Sequence, residues 1–483
     1  MNLASSFYFV MPEIILSLAA MAFLLVAAWR EDSGRLLSIL SVAALVGASA
    51  WTIHLMVSPS FSLGGDAFSG LYRMNAFGNL AKLLIFGAAA ISLIIAPRFL
   101  SDINVMRAEY PVLILLAVTG MSIMVSANDL ITLYMGLELN SLAAYVLASF
   151  ARNDMRSAEA GLKYFVLGAL ASGILLFGMS LLYGFTGSTD FTAISLALSG
   201  EMSIGALFGV IFVLSGLAFK ISAAPFHMWT PDVYEGAPTP VSAFFASAPK
   251  VAATALLVRV TITAFGDQTF VWQQIVMVIA IMSIIIGAVG AIGQSNLKRL
   301  LAYSSINNIG FLLIGLAAAT AAGVSAMLVY LMIYVVMTLG GFICLMQLKN
   351  RDGTIRESLS DISGLSSTRP LLALAIAIFM FSLAGIPPLF GFWGKLVVFN
   401  AAVAADLVPL AVIGIAASVI GAFYYLKVVK VMYFDDAADI IVPAGGKSLA
   451  WTGGILALIV SPAGYLLIPV ITPIADQAAK ALF

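Results

Sequence analysis

Cysteine, histidine and charge are the scarce chemistries of this chain. Its 483 residues hold one cysteine, Cys344, and two histidines, His54 and His227. A single thiol closes no internal disulfide, and an iron–sulfur cluster needs about four thiolates. Two histidines are too few for a bis-histidine haem pair and anything further. Charged residues make up only 10% of the chain, against about 25% in a soluble domain. The 23 basic and 23 acidic residues cancel, and no basic tail points to nucleic acid. The sequence contains no phosphate-cradling glycine loop, no dinucleotide fingerprint after a strand and no HExxH. No cofactor or metal is therefore expected on this chain, and the energy for any work it does must come from a gradient or from partner subunits.

What the chain has instead is apolar length. It is 62% hydrophobic, with mean hydropathy +1.08. Apolar runs long enough to cross a bilayer recur throughout, so the spans read as helices and not as alternating barrel strands. The expected class is an all-α polytopic membrane protein whose lipid-facing surface is the bilayer's partner. About 14 spans are expected, at roughly 8–29, 36–57, 75–96, 111–127, 129–150, 159–184, 203–229, 241–264, 271–292, 299–319, 323–348, 370–402, 408–433 and 449–473. The first run lacks a basic leading segment and a small-residue cleavage site, so it is expected to be a retained helix. The longest polar connection runs from about Lys349 to Arg369.

Basic residues set the expected orientation. The odd-numbered loops hold Arg30, Arg35, Arg98, Arg107, Arg152, Arg156, Lys298, Arg299, Lys349, Arg351, Arg356, Arg369 and Lys447, whereas the even-numbered loops hold only Arg73. Odd loops are therefore expected in the cytoplasm, with both termini on the opposite face of the membrane.

Charges inside spans are costly and are kept mostly where they face protein or water. Lys427, Lys430 and Arg259 lie near span ends and read as snorkelling to the interface. Lys82, some seven residues into the third span, is left open between that role and burial. Lys163, Lys220, Lys250 and Lys395 stand deeper or beside a break, and Glu138 is the acid placed mid-span. The stretch from Lys220 to Pro240 carries His227, Trp229 and four prolines, Pro225, Pro231, Pro238 and Pro240, and the prolines forbid a continuous helix. A second break, Gly385-Ile-Pro387-Pro388-Leu-Phe390-Gly391-Phe392-Trp393-Gly394-Lys395, again combines proline, a Phe-x-x-Trp pattern and a nearby lysine. The two broken spans lie five helices apart. An odd offset reverses direction across the membrane, so the two units are expected to be inverted repeats, the arrangement that points to a transport site.

The chemistry of such a set is proton relay. Burial disfavours the charged form of an amine, and a nearby carboxylate favours it. An acid–lysine pair that opens and closes is thus an electrostatic switch on the next lysine. Glu138 and Lys163 are the expected pair; Lys220, His227, Lys250 and Lys395 form the expected relay. His227 titrates near neutrality. Water or the hydroxyls of Ser222, Thr254, Tyr303, Ser304, Ser305, Tyr334 and Thr338 would bridge the gaps.

At these residues the chain resembles the antiporter-like membrane subunits shared by respiratory complex I and Mrp-type sodium/proton antiporters. The matching stretches are Glu138 within Tyr-Met-Gly-Leu-Glu-Leu-Asn-Ser-Leu, Glu159-Ala-Gly-Leu-Lys163-Tyr-Phe, Lys220 through Pro240, Lys250, and Asn296 through Ser305. Within that family it is similar to the N-type branch of complex I. The chain opens with Met11-Pro12-Glu13, carries Lys395 where the M-type branch tends to have glutamate, and is expected to lack the long lateral helix of the L-type branch. The resemblance implies a 14-helix fold with inverted five-helix repeats, and proton pumping driven by quinone reduction in other subunits. NADH, FMN, iron–sulfur clusters and quinone would all be handled by those partners, among them a neighbouring M-type subunit and small membrane subunits. The implied division is an N-terminal three-helix segment (1–110), a first repeat (111–264), a second, inverted repeat (271–433) and a C-terminal helix (434–483). One departure stands out. Relatives often carry histidine in the tenth span where this chain has Asn308, and an amide does not titrate. The relay there is expected to use water, and Asn308 is left out of the expected site. The alternatives are a subunit of a stand-alone sodium/proton antiporter and a passive scaffold subunit.

Overall fold

The structure, a computed structural model, describes residues 3–58, 64–349, 355–437, 442–443 and 446–483. Arg351 lies outside the described residues. The chain is almost wholly helical, with two short strand pairs in loops: β1 (Gly65–Ala67) with β2 (Tyr72–Met74), and β3 (Leu348–Lys349) with β4 (Val442–Pro443).

A short helix α1 (Leu3–Phe9) precedes α2 (Met11–Trp29), α3 (Gly34–Val57) and α4 (Ala76–Asp102). Next come α5 (Glu109–Ser126), α6 (Leu130–Ala148), α7 (Met155–Thr186), a surface helix α8 (Phe191–Leu198) and α9 (Ile204–Ile221). The first break follows, spanned by α10 (Trp229–Gly236), α11 (Thr239–Phe245) and α12 (Ala248–Arg259). Then come α13 (Thr269–Ile292), α14 (Leu297–Ala317), α15 (Ala321–Leu345) and a one-turn helix α16 (Leu365–Thr368). The second break separates α17 (Pro370–Ala384) from α18 (Phe390–Ala404); α19 (Val408–Phe434), α20 (Gly446–Val460) and α21 (Ile468–Lys480) end the chain. Among the described residues twelve helical segments are long and apolar enough to cross a membrane, or thirteen with the bent pair at the C-terminus. α17 and α18 are shorter apolar helices.

The last expected span differs from the sequence reading of one straight helix. It bends by 68° around Ser461-Pro462. Proline offers no N–H to continue the ladder, and the Ser461 hydroxyl instead accepts from Ala463 N at 3.2 Å.

Helices pack closely where glycine lets backbones approach. A Cβ on Gly120 of α5 would stand 2.6 Å from Gly136 O of α6, and one on Gly287 of α13 would stand 2.5 Å from Asn307 N of α14. The helix starts match as well. Asp129 caps α6 through Ile131 N and Thr132 N at 2.8 and 3.1 Å; Asn296 caps α14 through Lys298 N and Arg299 N at 2.9 and 3.1 Å. Both caps satisfy donors that a helix start leaves without partners. The backbone at Asp129 also pairs antiparallel with that at Asp190, and the backbone at Asn296 with that at Ser358.

The helices most buried within the chain are α12, α14 and α15, which form its centre. Both chain ends meet the segment that leads into α4: in the β1–β2 hairpin Phe68 N donates to Ser6 Oγ at 3.3 Å, and at the cap of α4 Asn75 Nδ2 donates to Ala481 O at 3.3 Å.

Candidate functional site

The first break is built from backbone chemistry. α9 ends at Ile221 because Ser222 takes a left-handed conformation, φ +65°, and Pro225 follows. The last carbonyls of a helix lack intrahelical partners, and buried polar groups need them. Here side chains supply them. Trp229 Nε1 donates to Phe219 O at 2.9 Å, and Lys250 Nζ donates to Ile221 O at 3.0 Å. Lys250 also bonds Ser222 Oγ, which in turn accepts from Thr230 Oγ1 at 2.6 Å. Ser283 on α13 steadies the break by accepting from Ala224 N at 2.8 Å.

The second break repeats the arrangement. α17 ends at Ala384 before the left-handed Gly385, φ +80°, with two prolines following. Lys395 Nζ donates to Ala384 O at 3.0 Å and to Ser418 Oγ at 3.0 Å. Lys250 and Lys395 therefore do the same thing. Each donates to the last carbonyl of a half-helix, one residue before a left-handed turn. Each also stands over an aromatic face, Lys250 at 5.1 Å from the Trp229 ring centre and Lys395 at 4.5 Å from that of Phe311, a contact that gains strength when water is excluded.

Lys220 sits one residue before the end of α9 and donates to Ser141 Oγ on α6 at 2.8 Å. Three residues earlier on the same helix, Glu138 Oε1 accepts from Ser172 Oγ of α7 at 2.5 Å. Between Lys220 and Lys250 stands an aromatic wall. Lys220 Nζ lies 5.9 Å from the Tyr145 ring, Tyr145 meets Tyr164 edge-on at 4.9 Å, and Tyr164 stacks on Trp229 at 4.4 Å. Among the described residues, no carboxylate lies within ion-pair distance of Lys220, Lys250 or Lys395.

Lys163 is placed differently from the sequence expectation. It does not pair with Glu138. It is 42% exposed and bridges Glu159 at 2.7 Å and Asp232 at 2.8 Å. Arg299 reaches the same Asp232 at 2.5 Å and Glu235 at 3.0 Å. These residues line a cleft of about 260 Å³. The reason is length of reach: Lys163 lies only two turns into α7, where its flexible stem extends to the charged loop end. Burial raises the Asp232 carboxyl, but the hydrogen bonds from Lys163 and Arg299 outweigh it and hold Asp232 below its ordinary value. His227 lies half-buried in the first break, between exposed Pro225 and Met228. Its Nδ1 has no partner among the described residues, and no hydrogen bond joins it to Lys220 or Lys250.

Between the two breaks lies a hydroxyl and amide network on α14, α15 and α19. Ser305 Oγ meets Tyr334 OH at 2.7 Å, and Ser304 Oγ meets Tyr425 OH at 2.5 Å. Asn308 is the hub. Its Nδ2 donates to Ser304 O at 2.8 Å, and its Oδ1 accepts from Tyr330 OH at 2.5 Å. Phe311, one turn further along α14, carries Lys395 on its face.

Comparison with known proteins fits this geometry. Residues 127–421, more than half of the chain, match the transmembrane family described as NADH:quinone oxidoreductase/Mrp antiporter. Two curated proteins named NADH-quinone oxidoreductase subunit N are close in sequence. That of Erythrobacter litoralis is 63% identical, covering 100% of this chain and 99% of its own. That of Rhizorhabdus wittichii is 58% identical over 100% of both chains. The chain belongs to the NADH-quinone oxidoreductase subunit N family.

Solved structures agree. A chain of respiratory complex I from Thermus thermophilus with bound aureothin is 30% identical, with TM-score 0.79, covering 96% of this chain and 98% of that one. A chain of the Mrp complex from Dietzia superposes with TM-score 0.85 at 22% identity, over 99% and 98% of the two chains. At that identity the likeness is one of fold alone. The matched family region contains all of Glu138, Lys163, Lys220, His227, Lys250 and Lys395. The subunit N family is thus a family of multi-pass membrane subunits of an oxidoreductase complex, and the matched region includes both helix breaks with Lys220, Lys250 and Lys395.

Sequence reasoning missed several members of the site. Asp232 and Arg299 were legible only as loop charges, although a carboxylate beside a proline break was a usable signal. Ser141, Ser172 and Ser418 gave no signal, since serine is common in membrane helices. Arg259, expected to snorkel, is fully buried. It donates through Nε to Val125 O and through Nη2 to Asn75 Oδ1, both at 2.9 Å, so its guanidinium is held inside the protein and does not reach an interface; Nη1 is buried without a partner among the described residues.

Proposed function

We propose that this chain translocates protons as a membrane-arm subunit of a bacterial NADH-quinone oxidoreductase. Quinone reduction in other subunits, which hold NADH, FMN and the iron–sulfur clusters, supplies the energy. One observation carries the reading. Lys250 and Lys395 are buried and Lys220 is part-buried; none of the three has a carboxylate in ion-pair range among the described residues, and all are held by neutral hydroxyl and carbonyl oxygens. An ammonium kept so has a protonation state set by what approaches it. Ser141, the Ser222–Thr230 pair and the Ser304–Asn308–Tyr330 network are the bridges between the three.

Glu138, on the Lys220 face of α6, is the acid that biases Lys220. Lys163 answers to Asp232 at the loop end and acts as the cytoplasmic gate. Lys250 passes the proton toward the α14 network, His227 serves the break from its lipid or subunit side, and Lys395 is the exit-side lysine. A neighbouring M-type subunit and small membrane subunits are the adjoining partners.

The finer architecture we propose has 14 spans, counting α17 with α18 as one broken span. It divides as 1–110, 111–264, 271–433 and 434–483, the middle two being inverted repeats. The paired features support it: glycine contacts of α5–α6 and α13–α14, double-bonded caps at Asp129 and Asn296, and lysine-capped half-helices at Ile221 and Ala384. The meeting of both chain ends at the segment that leads into α4 supports an even count. The concentration of basic residues in the other loops supports a periplasmic face for the termini.

The test is a Lys220→Ala complex in sealed membranes. Quinone reduction and proton pumping are both measured, and full retention of both overturns the reading. The Mrp-type reading is favoured only by fold, where the Dietzia TM-score is the higher. Purifying the native assembly separates them: flavin- and iron–sulfur-bearing partners support the first, their absence the second. A passive scaffold would lose only assembly when the lysines are neutralised.

A further inference from the structure

The relay leaves unused a second set of buried charges, in the first three spans and largely outside the matched family region. Glu13, in the first turn of α2, and Lys82, on α4, form an ion pair at 2.6 Å, with side chains 3% and 1% exposed. Glu13 Oε1 also accepts from Tyr72 OH at 2.9 Å and Ser122 Oγ at 2.7 Å, and Lys82 bonds the Tyr72 hydroxyl. All these groups are buried. Nothing in a scaffold requires two formal charges here, because hydrophobic residues of similar volume are often as stabilising.

The cluster is also incomplete as a static bridge. Glu13 Oε2 and Ser126 Oγ are buried without partners, as is Arg259 Nη1 at the end of α12. At Gly78 three polar atoms converge: an added Cβ would lie 3.1 Å from Arg259 Nη2 and 3.3 Å from both Asn75 Oδ1 and Ser126 Oγ. The cluster therefore presents open acceptor and donor positions toward α12. That helix packs on α4 and α5 and carries Lys250 at its other end, about 14 Å of helix rise from Arg259. One turn beyond Lys250, Thr254 Oγ1 is likewise buried without a partner. On its far side the cluster is roofed by Tyr72 of β2, whose hairpin reaches solvent at the half-exposed Asp66–Arg73 pair.

We propose that Glu13, Lys82 and Tyr72 form a proton-release site toward the face that carries the chain ends, fed from Lys250 along α12. A proton arriving past Thr254 binds Glu13 Oε2. The Lys82 ammonium, now facing a neutral acid and the Arg259 cation, gives one proton to the Tyr72 hydroxyl it bonds, which releases one of its own to water at the β1–β2 hairpin. Glu13 then passes its proton to the Lys82 amine and the ion pair returns. One proton enters, one leaves, and no electron moves. Arg259 is a positioning residue, whose fixed charge drives the release.

The inference rests on the proposed function, so its test runs beside the relay's. Whole complexes carrying Glu13→Gln with Lys82→Met, Tyr72→Phe, or Lys220→Ala are assayed in sealed membranes. NADH oxidation by an artificial acceptor reports assembly, and the initial rate of acidification per NADH oxidised reports pumping. A structural ion pair predicts that the double neutral variant, which strands no charge, pumps like the parent. A release site predicts at least a twofold loss of pumping in assembled complex, and a loss also for Tyr72→Phe, which leaves the ion pair in place. Parental pumping by the double variant overturns the inference; if that variant does not assemble, parental pumping by Tyr72→Phe does. Loss with Lys220→Ala but not with these variants sinks the release site alone. Parental pumping and quinone reduction in all three sink the proposed function itself.

Discussion

Lys163 stands 2.8 Å from Asp232, across the joint between α7 and the short helix of the first break. That contact ties α7 to α10, which carries Trp229 and Tyr234 beside Lys250. A change in the Lys163–Asp232 pair is thereby placed to move the aromatic floor of Lys250.

Asp232→Asn tests this coupling. Part-exposed ion pairs are worth about 0–1 kcal/mol, so the variant complex is expected to assemble at parental level. Its pumping rate per NADH oxidised is expected to fall several-fold. Parental pumping would make the cluster an ordinary loop-end salt bridge.

Lys395→Met removes the donor to Ala384 O and Ser418 Oγ while keeping the apolar stem over Phe311. Stranding a buried acceptor costs about 1–3 kcal/mol, which should lower the thermal midpoint of the purified complex modestly. Pumping is expected to be lost well beyond that. Thermal shift and acidification rate measured on the same preparation separate the two effects.

Tyr330→Phe deletes one hydroxyl, the donor to Asn308 Oδ1 at 2.5 Å. The expected result is slowed pumping with normal assembly. Asn308→His is expected to pump, because imidazole can bond the same partners and also titrate. Equal rates for Tyr330→Phe and parent would remove the Asn308 hub from the path.

Arg259→Met distinguishes burial from snorkelling. It leaves Val125 O and Asn75 Oδ1 without their charged donor, and hydrogen bonds to charged groups contribute about 1.5–3 kcal/mol each. The amount of complex recovered in membranes is expected to drop sharply. A snorkelling arginine at an interface would be replaced with little consequence.

Much of this was legible in the residues alone. Continuous apolar runs dictate membrane helices because backbone groups in lipid must bond within their own segment. Prolines at 225, 231, 238, 387 and 388 dictate the breaks, since they withdraw donors that lipid cannot replace. The cost of a buried charge marked Glu138, Lys220, Lys250 and Lys395 as worth explaining. What one-dimensional spacing could not decide was partnership. Lys163 and Glu138 lie on adjacent spans, yet helix rotation and a long stem take the lysine to Asp232. Asn308 was set aside because an amide does not titrate, and only packing of α14 against α15 and α19 makes it the hub of three hydroxyls. Arg259 reads as an end-of-span charge and Lys82 stays open between that role and burial; the hairpin over α4 and the C-terminus of α5 bury them. Sequence determined which groups are expensive to place in a membrane. Tertiary structure decided which oxygen atoms meet those groups, because that depends on helix rotation and close glycine contacts between segments far apart in the chain.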